Sequence, residues 1–281
     1  MPEKPKIAII GLGRWGQSLI QEFSKVADLT LVPHDGNPSY EETLARPEIQ
    51  AVVIATPIAT HFTIAKQALE AGKHVFVEKP ICGSLGEAEA LVALAALKNL
   101  HLIVGHIYLY HPVFTKITEL VGSEPVEYLE TAWYKYGSFV EEISFNLLCH
   151  ELATILKLMG TPDTLTITRE EKGVSLGDIL ECQVQFADGR RAVNLINRLA
   201  PFKNKSLLLK TATKTLWWLD DELFLLSPDG YLSIFKATTS PLELECQSFI
   251  NCLTDQTTSI TSGEFGLQVV QLLSRLTKLS H

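Results

Sequence analysis

The chain has 281 residues, 46% hydrophobic and 20% charged, with a formal charge of -8 at neutral pH. That length suits two domains, each able to bury its own core, better than one or three. The acidic balance excludes nucleic acid or an anionic membrane as the main partner, because phosphate-rich surfaces demand clustered Lys and Arg.

The first third alternates short apolar runs with amphipathic stretches, the pattern of a parallel sheet wrapped by helices. Strands are predicted at Lys6 to Ile10, Leu29 to Val32, Ala51 to Ala55, His74 to Val77 and Leu100 to Val104, with helices at Trp15 to Val26 and His61 to Ala71. Ser84 with Glu87 reads as a capping box opening a helix to about Lys98. The first apolar run, four residues from Ile7, is too short for a signal h-region or a membrane span, so a cytoplasmic location is expected.

After Tyr110-His111-Pro112 the pattern changes. A helix near Val113 to Leu120, a strand at Val126 to Tyr134 and a helix from Ser144 to Met159 precede a run of seven predicted strands between Thr164 and Phe235. Turns at Ala187-Asp188-Gly189 and Pro228-Asp229-Gly230 punctuate that run, which suggests an antiparallel sheet. Helices at Pro241 to Leu253 and Gly266 to Leu279 close the chain. The fold class is therefore α/β: an N-terminal doubly wound parallel sheet of the Rossmann type and a C-terminal α+β domain with an open, mainly antiparallel sheet. The domain cut is expected at 115/116. The five cysteines are odd in number and lack CxxC spacing, so neither a disulfide framework nor a metal site is expected. Cys149 beside His150 reads as a buried small residue.

The loop Gly11-Leu12-Gly13-Arg14-Trp15-Gly16 follows the first strand and opens a helix. In that context the first glycine makes the turn, the second lets a pyrophosphate approach the backbone, the third permits close packing, and the helix N-terminus faces the anion. An acidic residue about 20 positions on would bind the adenine ribose. Asp35 is the candidate, with His34 the alternative at that strand end, and Asp35-Gly36-Asn37-Pro38 also reads simply as a turn. Neither residue is an Arg that would accept a 2′-phosphate, so NAD is favoured over NADP as cofactor.

Ala55-Thr56-Pro57-Ile58-Ala59-Thr60-His61, Ala71-Gly72-Lys73-His74-Val75-Phe76-Val77-Glu78-Lys79-Pro80 and Gly105-His106-Ile107-Tyr108-Leu109-Tyr110-His111-Pro112 occur in that order. With the glycine loop, these segments make the chain resemble the glucose-fructose oxidoreductase/inositol dehydrogenase family, nearest to its nucleotide-sugar dehydrogenases. The resemblance implies that Thr56, Pro57 and His61 line the cofactor and that Glu78 and Lys79 lie near the nicotinamide ribose, with a cis Lys79-Pro80 bond. It also implies a C-terminal sheet that serves homo-oligomerisation. Lys79 has independent support, since it ends a parallel strand, where such sheets place their ligands, and an amine there can stabilise charge on a substrate oxygen.

His150 is the candidate general base, sharing a helix face with Asn146 four residues earlier. By the resemblance, active relatives usually carry an aspartate at the position of Asn146; asparagine supplies a hydrogen bond but no charge. Tyr108 and Tyr136 are candidate substrate contacts, with packing an equal reading for Tyr108. The implied activity is hydride transfer between NAD or NADP and a hydroxyl or carbonyl of a sugar or nucleotide sugar. The alternatives are a reductase of a non-sugar carbonyl or imine and a non-catalytic sensor. Trp217 and Trp218, adjacent on a strand, must face opposite sides. The Lys203 to Lys210 run reads as a strand with solvated ends rather than a nucleic-acid patch.

Overall fold

The computed structural model describes residues 3–33, 38–137, 142–173, 178–255 and 257–278. In chain order, β1 (Lys6–Ile10), α1 (Arg14–Val26), β2 (Asp28–Val32), α2 (Tyr40–Leu44), β3 (Ala51–Ile54), α3 (Ile58–Glu70), β4 (His74–Glu78), α4 (Leu85–Lys98) and β5 (Leu102–Gly105) come first. They are followed by α5 (Pro112–Val121), β6 (Val126–Tyr134), α6 (Cys149–Met159), β7 (Thr164–Glu171), β8 (Ile179–Gln185), β9 (Arg191–Asn197) and β10 (Asn204–Thr211). Then come β11 (Thr215–Leu219), β12 (Glu222–Ser227), β13 (Gly230–Lys236), α7 (Pro241–Thr254), α8 (Gly263–Ser274) and β14 (Thr277–Lys278).

The chain divides into two compact units. The first is residues 1–110 with 240–271, and the second is residues 111–239 with 272–281. The division departs from a single cut at 115/116, because α7 folds with the N-terminal residues. Unit one is a parallel sheet in the order β2-β1-β3-β4-β5. Successive residues of a strand face opposite sides, so Ala8, Ile10, Val52, Ile54, Val75 and Val77 pack on α3 and α4. Ile7, Ile9, Ala51, Val53 and Phe76 pack on α1 and on Cys246, Phe249 and Ile250 of α7. The Phe23, Phe76 and Phe249 rings meet at centroid distances of 5.6–6.0 Å, the geometry aromatic clusters prefer.

The second crossover, too short for an ordinary helix, holds the single turn and a half of α2. Ser39 caps it by accepting from the Glu42 N–H, while the Glu42 carboxylate accepts from the Ser39 N–H. At α4, Ser84 accepts from the Glu87 N–H, and Asn99 closes the helix in the left-handed conformation at φ 54°.

Unit two is a nine-stranded sheet, β13-β12-β11-β10-β6-β9-β8-β7-β14. It is antiparallel except where β6 pairs with β9 and β14 with β7. Two expected helices end differently. The stretch from Ser144 opens with a wide π-helical turn over Ser144–Leu148 before α6 begins. The last helix stops at Ser274 rather than Leu279. Arg275 donates to the carbonyls of Pro162 (2.9 Å) and Asp163 (2.7 Å), which carries the following residues onto the edge of β7 as β14.

Trp217 and Trp218 do face opposite sides. Trp217 joins Phe224 and Tyr231 on one face, while Trp218 is buried against His111 on the other. No helix among the described residues is long and apolar enough to cross a membrane.

Candidate active site

The glycine loop sits between β1 and α1. Gly11 has φ +97°, and a Cβ there would lie 2.7 Å from the backbone of Ala55, so the turn requires glycine twice over. A Cβ on Gly16 would lie 2.0 Å from the Gly11 carbonyl oxygen; this glycine lets α1 start directly against the loop. Gly13 is different, because a Cβ there meets nothing within 4 Å. Gly13 is also the N-cap of α1 and provides no side-chain hydrogen bond, leaving the first N–H groups of the helix uncapped by their own chain. An open face over an uncapped helix start fits the pyrophosphate of a dinucleotide. Arg14 and Trp15 are exposed beside it, Trp15 at 41%. His34 and Asp35 lie outside the described residues.

At the carboxyl end of β3, Thr56 is half-buried and accepts from the Thr60 hydroxyl at 2.7 Å, and Pro57 is exposed. His61 is buried, its Nδ1 2.9 Å from the Pro80 carbonyl and its Nε2 2.8 Å from the Thr56 carbonyl. Burial holds the imidazole below the usual histidine range, although both carbonyls favour protonation. The ring thus ties the segment after β3 to the segment after β4, where the Lys79-Pro80 peptide is cis.

Glu78 ends β4 and is buried; its Oε1 accepts from the Trp15 indole N–H and its Oε2 from the Lys79 N–H at 3.3 Å. Lys79 follows, half-buried, at the end of the sheet where open α/β folds bind ligands. Two further residues here were not singled out from the sequence. His106 follows Gly105, the residue of β5 that pairs with Glu78, and its ring feels the charge of Lys79. Both its ring nitrogens are buried without a hydrogen-bond partner among the described residues, and burial pushes the imidazole down to about 3. Glu245 of α7 is buried with both carboxylate oxygens unpartnered among those residues.

Burial raises Glu78 to about 7, against the lowering effects of Trp15 and Lys79, and raises Glu245 well above the carboxylate range, helped by the charge of Glu78. Between the ordinary value of 4.5 and about 7, the folded protein keeps a proton on Glu78 that the unfolded chain has released. Stability therefore falls as pH rises through that window, by about 3 kcal/mol for this group. Thermal melts of wild type should drop from pH 5 to pH 8 more steeply than those of Glu78→Gln, which keeps the indole hydrogen bond; equal slopes would refute the assignment.

In unit two, His150 lies in the first turn of α6, buried, with its ring centroid 5.5 Å from that of Trp133. Asn146 is half-buried in the preceding π-helical turn, where its carbonyl accepts from the Cys149 thiol at 3.7 Å. The wide turn replaces the regular α-helical spacing expected between Asn146 and His150. Tyr108 is half-buried after β5, in unit one, and Tyr136 is 70% exposed after β6, in unit two. Tyr110 is a packing residue; its hydroxyl bonds Ser259 and Thr261 at 2.7 and 2.8 Å. The five cysteines are buried and form no disulfide, and no group of three or more potential metal ligands occurs among the described residues.

Sheet order, loop geometry and the charged end of β4 define a protein of the Rossmann dinucleotide-binding class. Residues 24–106 match the family model described as an oxidoreductase family with an NAD-binding Rossmann fold. Over those residues the chain is similar to that family, the glucose-fructose oxidoreductase/inositol dehydrogenase oxidoreductases.

Over 174 residues it is 32% identical to UDP-N-acetylglucosamine 3-dehydrogenase of Acidithiobacillus ferrooxidans. That alignment covers 55% of this chain and 54% of the relative, so the match spans about half the curated relative's length. A solved structure of UDP-N-acetylglucosamine 3-dehydrogenase GnnA from the same organism superposes with a TM-score of 0.87 at 22% identity, over 96% of each chain. Biliverdin reductase from Synechocystis, solved with biliverdin and NADP+, gives a TM-score of 0.81 at 19% identity over 95% of this chain and 96% of its own. These two likenesses concern the fold.

Proposed function

We propose that the protein is an NAD- or NADP-dependent dehydrogenase acting on a hydroxyl of a sugar or nucleotide sugar. The observation that carries this reading is the open, uncapped start of α1 at Gly13, followed at the carboxyl end of β4 by Glu78 and Lys79. The similarity to UDP-N-acetylglucosamine 3-dehydrogenase supports the substrate class. Gly11, Gly13 and Gly16, with the backbone of Arg14 and Trp15, would hold the pyrophosphate; Thr56, Pro57 and Glu78 would line the rest of the cofactor.

When bound, the nicotinamide ring supplies a hydride acceptor. The protein's own work is to hold the substrate oxygen and remove its proton. Lys79 donates a hydrogen bond to that oxygen and stabilises the charge that develops on it as the carbon loses hydride. His150 takes the hydroxyl proton, leaving a carbonyl product. His34 or Asp35 would meet the adenine ribose, with NAD the favoured cofactor, and Tyr108 and Tyr136 would contact substrate.

Asn146 supports a second reading. An asparagine there supplies a hydrogen bond but no charge, where active relatives usually carry an aspartate, which suits a reductase of a non-sugar carbonyl or imine. Purified protein with NAD or NADP and a panel of UDP-sugars, inositols and simple sugars should produce reduced nicotinamide absorbance with at least one hydroxyl substrate. Oxidation of NADH or NADPH by a non-sugar carbonyl or imine, with no sugar active, would favour the second reading. Dinucleotide binding without turnover in either direction would leave a ligand sensor.

A further inference from the structure

Glu151 follows His150 on α6. Its side chain is 1% exposed, and its Oε1 lies 2.9 Å from the ammonium of Lys205 on β10, itself only 15% exposed. The second oxygen, Oε2, is buried without a hydrogen-bond partner among the described residues, so the carboxylate depends on that lysine. The same ammonium lies 4.4 Å from the centre of the Trp133 ring, a cation–π contact. The indole is in turn 5.5 Å from the ring of His150. The two separations put the ammonium within about 10 Å of the imidazole, inside a sheet-and-helix interior where charges are weakly screened.

From this geometry we infer that the Lys205–Glu151 pair sets the proton affinity of His150, Lys205 and Glu151 being positioning residues that act through the field at its ring. Its consequence for catalysis rests on reading His150 as the acid–base group. The pair is balanced while intact, so the imidazole is free to gain and lose a proton. Remove Lys205 and the remaining carboxylate, adjacent in sequence, holds a proton on His150. Remove Glu151 and the remaining ammonium drives the proton off.

The other titratable groups nearby are identifiable. Cys149 lies beside His150 on α6. His111, at the start of α5, feels the charge of Lys205 and meets Asp221 at 3.2 Å. Between β6 and β9 the buried contact is uncharged, Thr131 donating to Asn194 at 2.7 Å. None of these is altered in the variants below.

The test is an NMR pH titration of histidine side chains in the full-length protein, with the His150 signal assigned by its loss in His150→Asn. Glu151→Gln should lower the His150 midpoint by about one pH unit and Lys205→Met should raise it by about one. Lys205→Met/Glu151→Gln and Lys205→Arg should both return it to within about 0.3 of wild type. Should Lys205→Met fail to fold around its unpaired carboxylate, Glu151→Gln, the double variant and Lys205→Arg carry the comparison. A Glu151→Gln midpoint equal to wild type, shifts of one sign in both single variants, or a ring that stays neutral to about pH 4.5 in every protein would overturn the inference. The titration needs no substrate. If the midpoints move as expected but the pH profile of dinucleotide reduction does not follow them, the inference stands and the acid–base reading of His150 fails.

Discussion

Lys79→Ala should lower kcat for the proposed sugar oxidation by at least about a hundredfold, the usual effect of removing one preorganised donor from a developing oxyanion. Its melting temperature should stay within about 2 °C of wild type, because a half-buried side chain at a strand end contributes little to the core. Dinucleotide affinity should change by less than about threefold, since the pyrophosphate contacts assigned to the glycine loop remain. An effect confined to KM would make Lys79 a binding group alone, and an unchanged kcat would remove it from the reaction. Steady-state kinetics beside a fluorescence titration of the cofactor separate these cases.

The second large effect divides the glycine loop into a part that serves the fold and a part that serves the ligand. Gly16→Ala forces a Cβ to 2.0 Å from the Gly11 carbonyl, both being backbone-anchored, so the loop and α1 must separate. A loss of about 2–4 kcal/mol is expected, seen as a melting temperature lower by about 5–10 °C. Gly13→Val has open space for its side chain and an extended backbone, φ -66° and ψ -174°, that valine adopts readily. It should melt like wild type and yet bind dinucleotide about a hundredfold more weakly, because the new side chain occupies the approach to the uncapped helix start. The reverse pattern, an unstable Gly13→Val with normal affinity, would contradict the assignment.

Much of unit one is legible in the sequence because buried parallel strands are near-continuous apolar runs punctuated by turn residues, as in Lys6 to Ile10 and Ala51 to Ile54. The place of α7 is not. Its amphipathic spacing says that Leu242, Cys246 and Phe249 are buried, not that they meet Phe23 and Phe76, more than 160 positions earlier. Periodicity reports a face and not its partner.

The buried charges were legible in part. Lys205, Leu207 and Leu209 share one parity on β10, and alternation alone turns all three inward; the lysine is no solvated strand end, because Glu151 accepts it there. Glu245 likewise stands three residues after Leu242 and four before Phe249, on the apolar stripe of α7. The Trp15–Glu78 hydrogen bond joins two motifs recognisable separately, but their contact needs the register of β1, β3 and β4. The helix from Ser144 was legible in its apolar stripe, whereas its wide opening turn left no mark in composition.

The central claim is that the chain binds a nicotinamide dinucleotide at the start of α1. Isothermal titration calorimetry of the full-length protein with NAD and with NADP tests it most directly. At least one of the two should bind saturably, one per chain, with a Kd below about 1 mM, and the heat should be lost in Gly13→Val. Absence of binding to both dinucleotides, by a protein that still melts cooperatively, would contradict the claim.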